Sequence, residues 1–178
     1  VHAAHVLGAT KIRTCADVAN TGIGSDIATE AHWEQCVRGL RELTAMDRDL
    51  EFVVETHAHT LADNLESIDQ LFERVDVPNL KINFQPGKPF MDYGLHASFD
   101  RLFDRISHMH LQQQTGEHGE GWVENEGTID FAEFLGHVKA KGYAGSMSVE
   151  YCWKGVPFER ARTAHDFIRP ILTGQPVG

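Results

Sequence analysis

The chain has 178 residues, 42% of them hydrophobic and 24% charged, an ordinary globular composition for which one domain is the default. Its net charge of −10 leaves no basic footprint for nucleic acid and argues against adhesion to anionic membranes, and no apolar run approaches the ~20 residues of a membrane span. Cys15, Cys36 and Cys152 are odd in number and widely spaced, so no disulfide framework is implied and a reducing, cytoplasmic location fits.

Residues 1–8 carry no basic region ahead of their apolar residues, which argues against a signal peptide. Beginning at Val1 rather than Met, the chain reads as though entered in mid-helix. Residues 11–15 are a short strand after the turn Gly8-Ala9-Thr10, and a Gly/Ser/Asp loop covers 21–26. Trp33, Cys36, Val37, Leu40 and Leu43 give 28–47 a helical period. A strand at 50–56 follows, with Phe52, Val53 and Val54 as its apolar run. A helix at 61–75 carries Leu61, Leu65, Ile68, Leu71, Phe72 and Val75 on one face, and Asp76-Val77-Pro78-Asn79 breaks it. The strand 80–85 stops at Pro86-Gly87. Then come a helix at 95–105, a strand at 106–112, a polar Gly-rich loop at 115–128, a helix at 131–141 closed by Gly142, a strand at 146–151 and a helix at 158–172. About five strands alternating with helices predict a parallel α/β sheet; periodicity leaves a doubly wound sheet and a closed barrel both open.

Sites in such folds form at the C-terminal ends of strands. Glu55 ends one strand, and His57 shares its face if the strand persists. Gln85 ends the next, His108 and His110 lie on one face of the third, and Glu150 follows the apolar run Met147-Ser148-Val149. A carboxylate so close to an apolar strand is costly unless paired or metal-bound. Two carboxylates, an amide oxygen and an imidazole nitrogen are a donor set for Mg²⁺, Mn²⁺, Co²⁺ or Zn²⁺. Each residue also has a plain reading: a salt bridge for Glu55, loop punctuation for Gln85, a core histidine for His108 or His110, a solvated turn for His57-Ala58-His59. Convergence on separate strand ends outweighs any one residue. The Gly-rich Thr21–Ser25 segment lacks a phosphate-loop pattern and reads as a plain loop. Cys15 and Cys152 read as packing residues, as do Phe90 and Trp153, while His32, His96, His137 and His165 fall on helices.

These segments are similar to the xylose-isomerase-like superfamily. Phe52-Val53-Val54-Glu55-Thr56-His57 resembles the strand that carries its first metal-binding glutamate. Val77-Pro78-Asn79-Leu80 followed by Gln85-Pro86-Gly87 resembles its "PN-strand-DPGH" segment, and Ile106–Leu111 its "HvHlkD" strand. Gly119-Glu120-Gly121, the Gly127–Phe131 stretch and the run from Gly142 to Glu150 resemble its ending, in the family's order and spacing.

The resemblance implies a (β/α)₈ barrel, here truncated to about its last five βα units in a single partial domain over 1–178. It implies Glu55, Gln85, His110 and Glu150 as ligands of a divalent metal, Glu55 and Glu150 as acid/base groups, and His57 and Lys88 as contacts to substrate oxygens. Gln85 stands where Asp is usual and Lys88 where His is usual, so the site keeps two formal negative charges rather than three and should bind metal less tightly. Gln113 stands where the family has Asp. The implied activity is isomerisation or epimerisation of a keto-sugar or related polyol through an enediolate. The alternatives are an inosose-dehydratase-type lyase and a non-catalytic sugar-binding member. The acidic chain and short ligand set argue against the family's endonuclease branch. The expected partner is a small sugar or polyol, with no nucleic acid or membrane; a homo-oligomer stays open. Five strands cannot close a barrel, so the chain alone is expected to expose edges at 11–15 and 146–151, to be poorly stable or self-associating, and to be inactive.

Overall fold

The computed structural model describes residues 1–18, 21–115, 119–124, 127–150 and 158–174. Tyr151, Cys152 and Trp153, expected at or just past the last strand, lie outside the described residues, as does the side chain of Lys88.

In chain order the elements are α1 (His2–Leu7), β1 (Lys11–Cys15), α2 (Glu30–Ala45), β2 (Glu51–Glu55), α3 (Leu65–Val75), β3 (Leu80–Phe84), α4 (Lys88–Asp92), α5 (Leu95–Leu102), β4 (Ile106–Leu111), β5 (Gln113–Thr115), β6 (Gly119–Gly121), α6 (Phe131–Ala140), β7 (Ser146–Val149) and α7 (Phe158–Thr173). Strands β1, β2, β3, β4 and β7 form one parallel sheet in that order. The sheet curls. In a flat sheet β1 and β4 would stand three strand spacings apart, roughly 14 Å, yet Lys11 Nζ on β1 donates to Ser107 O on β4 at 2.8 Å. The result is a parallel five-stranded half-barrel, as expected of a (β/α)₈ barrel truncated to five units.

Alternation along the strands divides their residues between two environments. Phe52, Val54, Ile82, Phe84, Met109 and Leu111 join the apolar core with Ile68, Leu71, Phe99, Phe134 and Val138 of the helices. The opposite set, Arg13, Val53, His108, His110 and Ser146 among them, lines a cavity of about 570 Å³ inside the curl. Polar residues on apolar strands are therefore the inner face of the half-barrel, and function is to be sought there.

Local chemistry sets the helix starts. Thr29 Oγ1 accepts from His32 N–H while His32 Nδ1 accepts from Thr29 N–H, a reciprocal cap on α2. Asn64 and Ser67 do the same for α3. This cap corrects the expected helix 61–75: Leu61 is buried but lies in the turn before Asn64, and α3 begins at Leu65. The expected helix 95–105 ends at Leu102 and tightens into a 3₁₀ turn over Phe103–Arg105. Helix α4, absent from the sequence reading, opens with Pro89 in its first turn. The expected loop 115–128 also contains structure, because β5 and β6 pair antiparallel. Gly142 takes φ +77° just past α6, the left-handed backbone that favours glycine there.

Candidate metal centre

Glu55 is the last residue of β2, His110 the fifth of β4, and Glu150 directly follows β7. Parallel pairing in register brings these strand ends to one rim, and the ladder persists to Glu150, whose N–H donates to Leu111 O at 3.1 Å. Glu55 is 2% exposed and His110 8%. His110 Nδ1 lies 3.2 Å from Glu55 Oε1 and 3.2 Å from Glu150 Oε2. One donor atom from each of the three residues falls within 4.8 Å of the others, a spacing that one cation can span.

The electrostatics explain how a buried carboxylate is tolerated. Burial works to raise the Glu55 pKa, but the His110 hydrogen bond and the Arg13 charge outweigh it and hold the group below its ordinary value. Burial works to lower the His110 pKa, but hydrogen bonds to Glu150 and Glu55 and their charges push it up to about 9. Without a cation, His110 as an imidazolium sets one positive charge against the two glutamates, and the Arg13 guanidinium sets a second beside Glu55. Asn83, fully buried on β3, has Nδ2 3.0 Å from His110 Nε2, while its Oδ1 is buried without a hydrogen bond. A ring protonated at Nε2 needs the amide turned so that Oδ1 faces it, which also satisfies the orphaned oxygen.

Gln85 follows β3. Its N–H donates to Thr56 Oγ1 at 2.8 Å, and Thr56 Oγ1 donates to Gln85 O at 3.2 Å, which ties it to the residue after Glu55. Its Nε2 donates to Gln112 Oε1 at 3.0 Å, and its Oε1 is buried with no hydrogen-bond partner. These donors suit a divalent cation: two carboxylates, an imidazole nitrogen and a nearby buried amide oxygen without a partner.

The other sequence candidates fall differently. β2 stops at Glu55, two residues short of His57, and His57 is exposed, with Nδ1 2.7 Å from Ala58 O. His108 sits deeper on the inner face, its nitrogens 2.7 Å from Ser146 Oγ and 2.9 Å from Ser148 Oγ. Gln113 is 1% exposed and clamps the following loop, donating to Ile129 O at 2.8 Å and accepting from Ile129 N–H at 3.0 Å. Ser25 is held by Asp63, and a Cβ on Gly24 would come within 2.9 Å of the Asp63 carboxylate, which accounts for a glycine there.

Arg13 was missed from sequence. Its guanidinium pairs with Glu55 Oε2, and Cys15 Sγ lies 3.8 Å from the same oxygen. The available signal was the alternation Lys11, Arg13, Cys15 beside a strand beginning and ending in glutamate; Lys11 pairs with Glu51 at 3.2 Å.

A polar inner face that gathers carboxylates and an imidazole at the C-terminal rim of a curled parallel sheet is the arrangement of a (β/α)-barrel protein. The chain belongs to the xylose isomerase-like TIM barrel family, whose sequence profile matches residues 1–171. No curated protein matches the sequence. Among solved structures, the probable 3-DHS dehydratase AsbF of Bacillus anthracis, involved in petrobactin synthesis, superposes with a TM-score of 0.76 at 22% identity, covering 97% of this chain and 66% of that one. A D-tagatose 3-epimerase-like protein gives 0.77 at 21% identity, covering 96% and 65%. The IOLI protein with a binding zinc atom gives 0.72 at 17%, covering 97% and 66%. At these identities the likeness is one of fold, and the chain spans just under two thirds of the length of each.

Proposed function

We propose that the chain carries the metal-binding part of an isomerase or epimerase acting on a keto-sugar or related polyol, its five strands corresponding to the fourth to eighth of a barrel. The observation that carries this reading is the meeting of Glu55, His110 and Glu150 at the strand ends, with donor atoms within 4.8 Å. Glu55, His110 and Glu150 would hold a divalent cation, with Gln85 Oε1 as a neutral fourth donor. A bound ion would supply Lewis-acid polarisation of a substrate carbonyl. The proton transfer would fall to the glutamates: the ionised one would take the proton from the carbon beside the carbonyl, and the other, entering protonated, would return one to the enediolate, leaving the pair with its protonation exchanged. Glu55 and Glu150 flank His110 and are suited to these two roles. Arg13 and His110 keep Glu55 ionised, the form that a cation or a transferred proton requires. His57 and Lys88 are assigned to substrate oxygens on the resemblance alone.

A lyase of the dehydratase type is the second reading, favoured by the fold likeness to a probable 3-DHS dehydratase. It shares the ion and the proton abstraction but expels water. Calorimetric titration with Mn²⁺ tests the centre: one equivalent is expected to bind, and Glu55→Gln or Glu150→Gln should abolish or strongly weaken it. Binding unaffected by either change would refute the site. Keto-sugars and cyclitols incubated with the metal-loaded protein separate the reactions, since an isomeric product supports the first and an absorbing enone or diketone the second.

A further inference from the structure

An amide can serve as a metal ligand through its oxygen only, because its nitrogen carries two hydrogens and no available lone pair. A carboxylate has no such asymmetry. A chain with Gln85 in this position therefore needs something that decides which end of the amide faces inward.

The structure contains such a group. Gln112 follows β4, is 3% exposed, and accepts a hydrogen bond from Gln85 Nε2 through Oε1 at 3.0 Å. With Nε2 engaged on that side, Gln85 Oε1 is the atom left over. It is buried and without a hydrogen bond, an arrangement that is unfavourable unless something electropositive is to occupy the space beside it. The backbone of Gln85 is held as well, through both of its hydrogen bonds with Thr56. Of the two orientations of the terminal amide, the contact with Gln112 Oε1 selects the one that turns Gln85 Oε1 away from Gln112.

We infer that Gln112 is a positioning residue that orients the Gln85 amide so that its oxygen is presented to the metal centre. The inference rests on the reading of Glu55, His110, Glu150 and Gln85 as metal donors. Partners of metal ligands characteristically change affinity by about 10–100-fold when removed. The asymmetry argument makes the prediction specific: the contribution of Gln112 should exist only while residue 85 is an amide.

The test is a double-mutant cycle read by Mn²⁺ titration calorimetry, with thermal unfolding of each metal-free protein as a check on folding. Gln112→Leu is expected to weaken Mn²⁺ binding about tenfold or more. Gln112→Glu still accepts from Gln85 Nε2 and should bind as tightly as the parent or tighter. Gln85→Glu, whose two oxygens are equivalent, should make binding indifferent to Gln112→Leu, within about twofold. Equal weakening by Gln112→Leu in both backgrounds would identify a general packing role and overturn the inference, as would parent-like binding by Gln112→Leu. If Gln112→Leu does not fold, loss of binding in Gln112→Glu overturns it. Absence of Mn²⁺ binding by the parent chain would overturn the metal centre and this inference together. Parent binding that is lost in Glu150→Gln but unchanged in Gln112→Leu would overturn this inference alone.

Discussion

Glu55 and His110 form a charge pair in which each explains the other's protonation. The sign of their pH dependence follows from the direction of each shift. His110 is raised from its ordinary 6.5 to about 9, so its contribution to stability is complete below 6.5 and is lost as pH rises through about 9. Glu55 is lowered, so its contribution is complete above the ordinary carboxylate value and is lost as pH falls through its lower folded value. The metal-free protein should thus be most stable from about neutral pH downward to the carboxylate range. Thermal unfolding in chelator across pH 5–10 should show an alkaline decline that His110→Gln removes; an unchanged decline in that variant would place its origin elsewhere. Because a cation and a proton compete for the imidazole, Mn²⁺ affinity should rise with pH up to about 9, by up to about tenfold per unit. Glu150 carries the complementary prediction for chemistry. In a form of the protein that turns over substrate, Glu150→Gln is expected to lower turnover about 10²–10⁴-fold while the circular dichroism spectrum stays the same. Retained activity in a metal-replete assay would remove Glu150 from the mechanism.

The elements hold these residues in place through the layer behind the sheet. Phe99 on α5 is 0% exposed and packs edge-on against Phe84 of β3 at 5.9 Å and Phe134 of α6 at 5.7 Å. It thereby supports β3, the strand that delivers Asn83 and Gln85. Phe99→Ala should lower stability by about 3–5 kcal/mol, measurable by urea unfolding, and a loss under 1 kcal/mol would show that the layer repacks. The β5–β6 hairpin illustrates a different kind of support. Its sequence is polar and Gly-rich and offers no alternating apolar residues, so its order comes from backbone pairing and from Gln113, which clamps Ile129 in both directions. Gly127 is part of that device, since a Cβ there would come within 2.6 Å of Gln113 Oε1.

Across the whole molecule, the described sheet has two edges, β1 and β7. Each presents unpaired backbone groups, and such edges template association with other strands. No helix among the described residues is long and apolar enough to cross a membrane. Val6 and Leu7 on α1 are 71% and 81% exposed, and Phe158 on α7 is 75% exposed. The 178-residue chain expressed by itself is therefore expected to self-associate, or to unfold at low temperature, and to lack turnover even when it binds metal. Light scattering with thermal unfolding measures both, and a monodisperse monomer with a cooperative transition and sugar turnover would contradict this.

Local pattern was enough to find the alternation of strands and helices, because apolar periodicity reports which face of each segment is covered. It also put forward Glu55, Gln85, His108, His110 and Glu150, since a polar group at the end of an apolar strand stands out without any partner in view, whereas the choice of His110 over His108 came from the resemblance. The resemblance decided for a barrel over a doubly wound sheet where periodicity could not, and the curl confirms it through one lysine reaching from β1 to β4. What sequence could not supply was pairing across distance. Arg13 lies 42 positions from Glu55 and Gln112 lies 27 from Gln85; alternation places Arg13 on one face of β1, but which glutamate it meets is fixed only by the pairing of β1 with β2, and nothing local marks Gln112 as the partner of Gln85. Even the end of β2 at Glu55, which leaves His57 exposed, is set by Thr56 turning to Gln85, a neighbour brought near only by the parallel register of β2 and β3. Burial of one face is written in a segment's own residues, whereas the partner of a polar side chain depends on how the strands are ordered and curled.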